Sequence, residues 1–195
     1  MKYNIPNSES EILPNLPGLT AANEIALSEF EGFLRAEILF TEKLSLRTKF
    51  SVSYIKKLHK TALQHLYSFA GKYRDVNMSK AGFPFPAAKF LAKSMDEFDM
   101  EILLKLPNKY NHKNDLIRDI AIIHGELLFI HPFREGNGRT ARILANLMCR
   151  KHGYKALKFE LIDQKLFPFY VEAVQQVALR DYSKMIKLIK TIFPG

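Results

Sequence analysis

Apolar residues recur along this chain at spacings of three and four, the signature of helices that each bury one face. From Thr20 to about Leu44, Ile25, Phe30, Phe33, Leu34, Ile38 and Leu39 follow this period. Ser51 or Ser53 is placed to cap a second helix carrying Ile55, Leu58, Ala62, Leu66 and Phe69, with Gly71 as its stop. The pattern then changes. "KYRDVNMSKAGFPFP" alternates and holds Gly82, Pro84 and Pro86, which predicts a short hairpin or flap. A further helix carries Leu91, Met95, Phe98, Ile102 and Leu106, and "PNKYNHKN" is a polar connector. From Asp115 to Phe129, "DLIRDIAIIHGELLF" is apolar nearly all round, as a central buried helix must be. Another helix runs from about Gly138 to Lys151 and stops near Gly153. Two more close the chain, Tyr170 to Leu179 and Tyr182 to Ile192, with Asp181 as an N-cap between them. Pro168 is tolerable only in a first turn. Residues 1–19, with Pro6, Pro14, Pro17 and Gly18, read as an irregular arm. The expectation is a mainly α fold, a helical bundle with a small β-hairpin flap, as one domain over residues 20–195.

Composition narrows the class. The 195 residues are 47% apolar and 25% charged, an ordinary globular balance. The most apolar run is interrupted by His124 and Glu126 and is too short and polar to span a bilayer. The first residues contain no apolar signal-peptide core, and the single cysteine, Cys149, excludes an intramolecular disulfide. Both point to a reducing, cytoplasmic setting without a membrane partner. Cys149 itself reads as a small buried apolar residue. A net charge of +9, from 29 basic and 20 acidic residues, favours an anionic partner without choosing one.

The chemistry concentrates in "HPFREGNGRTAR", residues 131–142. His131 follows the buried helix and Pro132 stops it, so an imidazole sits at the end of a rigid element, placed to act as a base. Gly136 and Gly138 allow unusual backbone angles, so successive N–H groups can converge on an anion where the next helix begins. Asn137 adds an amide donor there. Arg139 and Arg142 share one helix face, and Asn146 and Arg150 extend it. Forked guanidiniums suit polyphosphate oxygens. Glu135 would repel such a ligand unless a cation such as Mg²⁺ intervenes.

That stretch resembles the signature of the Fic-domain family, H-P-F-x-[D/E]-G-N-G-R-x-x-R, with every position filled. "AGKYRDVNMSKAGFPF" is similar to the family's flap and "LIRDIAIIHGELLFIHPF" to its central helix, so the resemblance covers roughly Ser51 to Phe193, a core of about 51–193. "LPGLTAANEIALSEFE" resembles, more weakly, a bacterial subgroup named mobile mystery protein B. The resemblance implies a protein adenylyltransferase that moves AMP from ATP to a hydroxyl of a target protein. It implies His131 as the base, Glu135 on Mg²⁺, Gly136, Asn137 and Gly138 around the α-phosphate, and Arg139 and Arg142 on the β- and γ-phosphates. It implies Phe133 as the loop's anchor in the core. Val76, Asn77, Met78, Phe83 and Phe85 would lie in a flap that docks the target by strand addition. Bacterial toxins of this family and size act on DNA gyrase and topoisomerase IV. The family's inhibitory motif, [S/T]-x-x-x-E-[G/N], is unmatched: Thr20 precedes Glu24 but Ile25 follows, and Glu31-Gly32 has Leu27 upstream. This points to a separate antitoxin.

Four rival readings stand, one of them a catalytically dead scaffold, which the intact motif argues against. A Doc-like kinase would carry lysine where this chain has Gly138. UMP or phosphocholine transfer would use the same motif. A nucleic-acid binder would use Arg139, Arg142, Arg150 and Lys151, but leaves His131 and Glu135 unexplained.

Overall fold

The computed structural model describes residues 12–80 and 82–194. Most of the predicted arm, residues 1–11, lies outside the described residues. What is described of it docks on the domain: the Leu16 N–H donates to the Leu66 carbonyl at 2.9 Å, and Asn15 bonds to Leu13 and Leu19.

Helix α1 spans Ala22–Glu42. Its buried face is Ile25, Glu29, Phe33, Ala36 and Phe40, spaced by threes and fours. Phe30, Leu34 and Ile38, counted above in the same periodic set, instead lie exposed on the outer side. The set covered two faces, and α1 packs only one. Gly32 permits that packing: a Cβ there would lie 2.0 Å from the Ala62 carbonyl oxygen of α2.

Helix α2 spans Val52–Leu63, and the Ser51 hydroxyl accepts from the Tyr54 N–H at 3.1 Å as its N-cap. The helix stops short of Phe69. Residues 64–71 form turns that still bury Leu66 and Tyr67, and Gly71 closes them at φ +76°. The flap follows as two short antiparallel strands, β1 (Ser79–Lys80) and β2 (Phe83–Pro84), with Ser79 opposite Pro84 and Lys80 opposite Phe83. Gly82, in the connecting turn, has φ +81°.

Helix α3 (Leu91–Glu101) leads to α4 (Lys113–Ile130), α5 (Asn137–Lys151), α6 (Phe167–Gln176) and α7 (Ser183–Ile192). Pro168 sits in the first turn of α6 as expected. Asp181 caps less simply. Tyr182 is the residue at the N-cap of α7, while the Asp181 carboxylate accepts from the Ser183 N–H at 2.9 Å.

Helix α4 is the axis. Leu116, Ile120, Ala121, Ile123, Leu127 and Ile130 are buried along it, and α3, α5, α6 and α7 pack around it. Gly125 allows Val177 to approach, since a Cβ would lie 2.9 Å from its Cγ2. Cys149 is buried, and burial pushes its thiol up to about 12, which fits the packing reading. No described helix is long and apolar enough to cross a membrane.

Candidate active site at the junction of α4 and α5

The loop between α4 and α5 is built by its own side chains before any ligand is considered. His131 ends α4 in a left-handed conformation, φ 52° and ψ 55°, which a non-glycine residue adopts only when its surroundings hold it there. Two backbone carbonyls of this corner, His131 and Pro132, are taken by Arg74. The Arg74 Nε donates to the His131 carbonyl at 2.8 Å, and its backbone N–H donates to that of Pro132 at 2.9 Å. The same guanidinium donates to the Val76 and Pro86 carbonyls, each at 2.6 Å. Arg74 is 3% exposed, so one buried cation bolts both ends of the flap to the corner. Burial lowers its pKa to about 10, still charged at neutral pH.

Farther along the loop, His59 of α2 does the equivalent work. Its Nδ1 accepts from the Gly71 N–H at 2.8 Å, so Nε2 carries the hydrogen and donates to the Glu135 carbonyl at 2.9 Å. Its ring stacks on Phe133 at 3.8 Å. Phe133 is fully buried, as the core anchor it was expected to be. Burial holds the His59 pKa down to about 4, so it stays neutral.

The site residues fall into place around this frame. The His131 Nδ1 lies 3.0 Å from the Leu128 carbonyl, which can only accept, so Nδ1 carries the hydrogen and Nε2 the lone pair. Burial is the main reason its pKa falls to about 3, with Arg74 and Lys80 adding repulsion. The imidazole is therefore neutral, with the tautomer a base requires. Phe85 stacks on it at 3.9 Å.

Gly136 has φ +78°, and a Cβ there would strike Phe33 at 2.7 Å and Leu63 at 3.1 Å. It is glycine for conformation and for space. Gly138 differs from expectation. It lies inside α5 without positive φ, and a Cβ there would meet nothing within 4 Å. Its hydrogen leaves open room at the start of the helix, beside the first-turn N–H groups of Asn137, Gly138 and Arg139, which have no intrahelical acceptor.

Asn137 turns inward. Its Oδ1 accepts from the Phe133 N–H at 2.8 Å, and its Nδ2 donates to the Phe133 carbonyl at 2.7 Å. Both ends of the amide hold the loop, and the residue is wholly buried. The Glu135 Oε1 accepts from the Gly136 N–H at 2.8 Å and lies 3.4 Å from Arg139.

Arg139 and Arg142 separate. Arg139 lies over the Phe33 ring and pairs with Glu29 of α1 at 2.8 Å, while the other oxygen of Glu29 accepts from the Tyr67 hydroxyl. Arg142 is exposed and lines a cavity of about 360 Å³ with His131, Gly138, Lys80, Phe83, Phe85 and residues of α6. Among the described residues no carboxylate pairs with Arg142. Farther down α5, Arg150 pairs with Glu37 and Asn146 bonds to Glu37 and Leu157. That end of the stripe holds α1 and the loop after α5.

In the flap, Met78 is buried and its carbonyl accepts from the Phe85 N–H, while Asn77 accepts from the Ala88 N–H. Val76 and Phe83 are half-buried and Asn77 is exposed. Among the described residues no cluster of three or more metal-ligating side chains is present.

His59, Arg74 and Glu29 were not among the predicted site residues. His59 and Glu29 did leave a signal, each a polar residue at a core-facing position of its helix, between Ile55 and Ala62 and between Ile25 and Phe33. Arg74 left none, since an arginine in a polar flap stem looks solvated.

Residues 49–149 match the sequence profile of the Fic/DOC family. The chain belongs to the Fic/DOC family. Among curated relatives it is 28% identical, over 70% of its length, to protein adenylyltransferase Fic of Nematostella vectensis. It is 30% identical, over 57% of its length, to protein adenylyltransferase VbhT of Bartonella schoenbuchensis. It spans only 31% and 23% of those two proteins. Two solved structures superpose on nearly the whole chain. The Fic domain of Bep8 from Bartonella sp. 1-1C matches with a TM-score of 0.78 at 21% identity, covering 98% of this chain and 94% of that one. BepC of Bartonella tribocorum, solved with bound AMPPNP, matches with a TM-score of 0.77 at 19% identity, covering 96% and 95%. The mainly helical fold with its small flap is therefore a Fic fold.

Proposed function

We propose that this Fic-family chain transfers AMP from ATP to a hydroxyl side chain of a target protein. The observation that carries the reading is one cavity shared by the neutral His131, the open side of Gly138 and the exposed Arg142. The His131 Nε2 lone pair takes the proton of the target hydroxyl. The freed oxygen attacks the α-phosphorus, the bond from that phosphorus to the bridging oxygen breaks, and pyrophosphate leaves. The backbone N–H groups of Gly138 and Arg139 hold the α-phosphate at the α5 N-terminus. Arg142 and Arg139 meet the β- and γ-phosphates. A single carboxylate beside phosphate oxygens is a normal Mg²⁺ setting, and Glu135 would hold the ion there, where it supplies charge neutralisation. Val76, Asn77 and Phe83 present the surface part of the flap to the target's extended segment, and Met78 and Phe85 brace it from within.

Relatives named protein adenylyltransferases and a neighbour solved with AMPPNP support AMP transfer. In its finer form the chain is a cytoplasmic toxin acting on a bacterial protein such as DNA gyrase or topoisomerase IV, restrained by a separate antitoxin. The absence of a carboxylate partner for Arg142 among the described residues supports restraint in trans. Nucleic-acid binding is disfavoured, because two of its four candidate cations, Arg139 and Arg150, are paired with carboxylates of α1.

Incubation with Mg²⁺, a bacterial lysate and ATP labelled at the α-phosphorus should place label on a protein. Label transferred only from the γ-position would establish the kinase reading instead.

A further inference from the structure

His124 and Tyr170 are buried, titratable and outside the family signature. His124 is on α4, two turns before His131, and is 1% exposed. Its Nδ1 lies 3.3 Å from the Ala141 carbonyl and its Nε2 lies 2.8 Å from the Tyr170 hydroxyl of α6. The two rings stack at 5.8 Å, and Phe159 packs on His124 at 5.4 Å. Arg142, the next residue after Ala141, has its guanidinium 5.5 Å from the centre of the same Phe159 ring and beside the Tyr170 hydroxyl.

The direction of each hydrogen follows from the groups. A carbonyl only accepts, so the His124 Nδ1 carries the hydrogen toward Ala141. Burial holds His124 neutral, with its pKa lowered to about 4, so Nε2 has a lone pair and the Tyr170 hydroxyl donates to it. With its hydrogen committed, the phenol oxygen turns its lone pairs outward. Arg142, which has donors only, is the cation that acts on this phenol. Tyr170 and Arg142 line the same cavity as His131 and Gly138.

We propose that His124 and Tyr170 are positioning residues that aim Arg142 at the outer phosphates of the bound nucleotide. His124 fixes the α5 backbone at Ala141 and polarises the phenol. The phenol oxygen in turn holds one edge of the Arg142 guanidinium, leaving the other edge for phosphate. The proposal rests on the nucleotide reading of the site.

Calorimetric binding of ATP and of AMP separates its parts, because only ATP carries the phosphates that Arg142 would meet. Tyr170→Phe should weaken ATP binding about tenfold, the order of one charge-assisted hydrogen bond, and leave AMP binding unchanged. His124→Leu should act as Tyr170→Phe does. His124→Gln, which keeps an acceptor toward Tyr170, should stay within about threefold of the parent for ATP. In an Arg142→Ala background the Tyr170→Phe effect should vanish, since the two act through one interaction. Equal loss of ATP and AMP would show that Tyr170 touches the nucleoside or shapes the pocket, and would overturn the relay. So would parent-like ATP binding by Tyr170→Phe, or full additivity with Arg142→Ala. A parent protein that binds no ATP would overturn the nucleotide reading together with the relay.

Discussion

The two glycines of the loop make opposite predictions when each is replaced by alanine. Gly136→Ala introduces a methyl group 2.7 Å from Phe33 and 3.1 Å from Leu63, at a residue held at φ +78°. A left-handed conformation costs an ordinary residue about 1–2 kcal/mol, and forcing a methyl into a packed core costs about 1–3 kcal/mol. Phe33 can give a little, so the expected loss is about 2–4 kcal/mol. For a chain of this size that lowers the melting temperature by roughly 5–15 °C. Gly138→Ala meets nothing within 4 Å and keeps helical angles. Helix propensity alone makes it neutral to about 1 kcal/mol stabilising. Its methyl does enter the space proposed for phosphate, so ATP affinity should fall about tenfold or more, at least ~1.4 kcal/mol of binding. Thermal melts and ATP calorimetry on the two variants are sufficient. Parent-like melting of Gly136→Ala, melting of Gly138→Ala as low as that of Gly136→Ala, or undiminished ATP binding by Gly138→Ala would each refute these roles.

His131→Ala should slow AMP transfer about 10²- to 10⁴-fold with little change in ATP affinity; an unchanged rate removes His131 as the base. Stability should fall steeply in acid. His59, His124 and His131 have pKa values lowered to about 4, 4 and 3 in the folded chain, against about 6.5 when unfolded. The unfolded chain then binds three more protons near pH 5, and stability drops by about 4 kcal/mol per pH unit as pH falls through that window. Denaturant melts at pH 7, 6 and 5 check this, and a flat profile contradicts it. Arg74→Lys keeps the charge but cannot reach three carbonyls at once. It should cost about 2–4 kcal/mol and speed hydrogen exchange at the Phe85 amide, whereas parent-like exchange would show the flap held by other means.

The sequence displayed the parts of this fold that depend on local periodicity. The buried α4, the corner at His131 and Pro132, the flap and the Ser51 cap were all readable, because each is a pattern within a few residues. Reading failed where a local pattern had two physical meanings. Phe30 and Phe33 sit on one helical period, yet only Phe33 faces α2. Asn137 beside two glycines reads as a ligand donor, but its amide closes onto Phe133. Gly138 reads as a second conformational glycine and is instead an open space. The contacts that shape the site come from far along the chain. Arg74 meets His131 across 57 residues and His59 meets Glu135 across 76. No spacing rule reports such pairs; His59 leaves a trace as a polar residue on an otherwise apolar face, and Arg74 leaves none.

The Arg74 bolt has a consequence for how this kind of site is acquired. The signature contributes the groups that would meet a nucleotide, but two of its backbone carbonyls end on Arg74 from another segment, one on its guanidinium and one on its backbone N–H. Its left-handed histidine is sustained from outside. Transplanted into some other pair of helices, the same letters would relax into an ordinary turn with an unaimed imidazole. The heritable unit is therefore the motif together with its flap stem, and a working copy cannot be assembled by moving the motif alone.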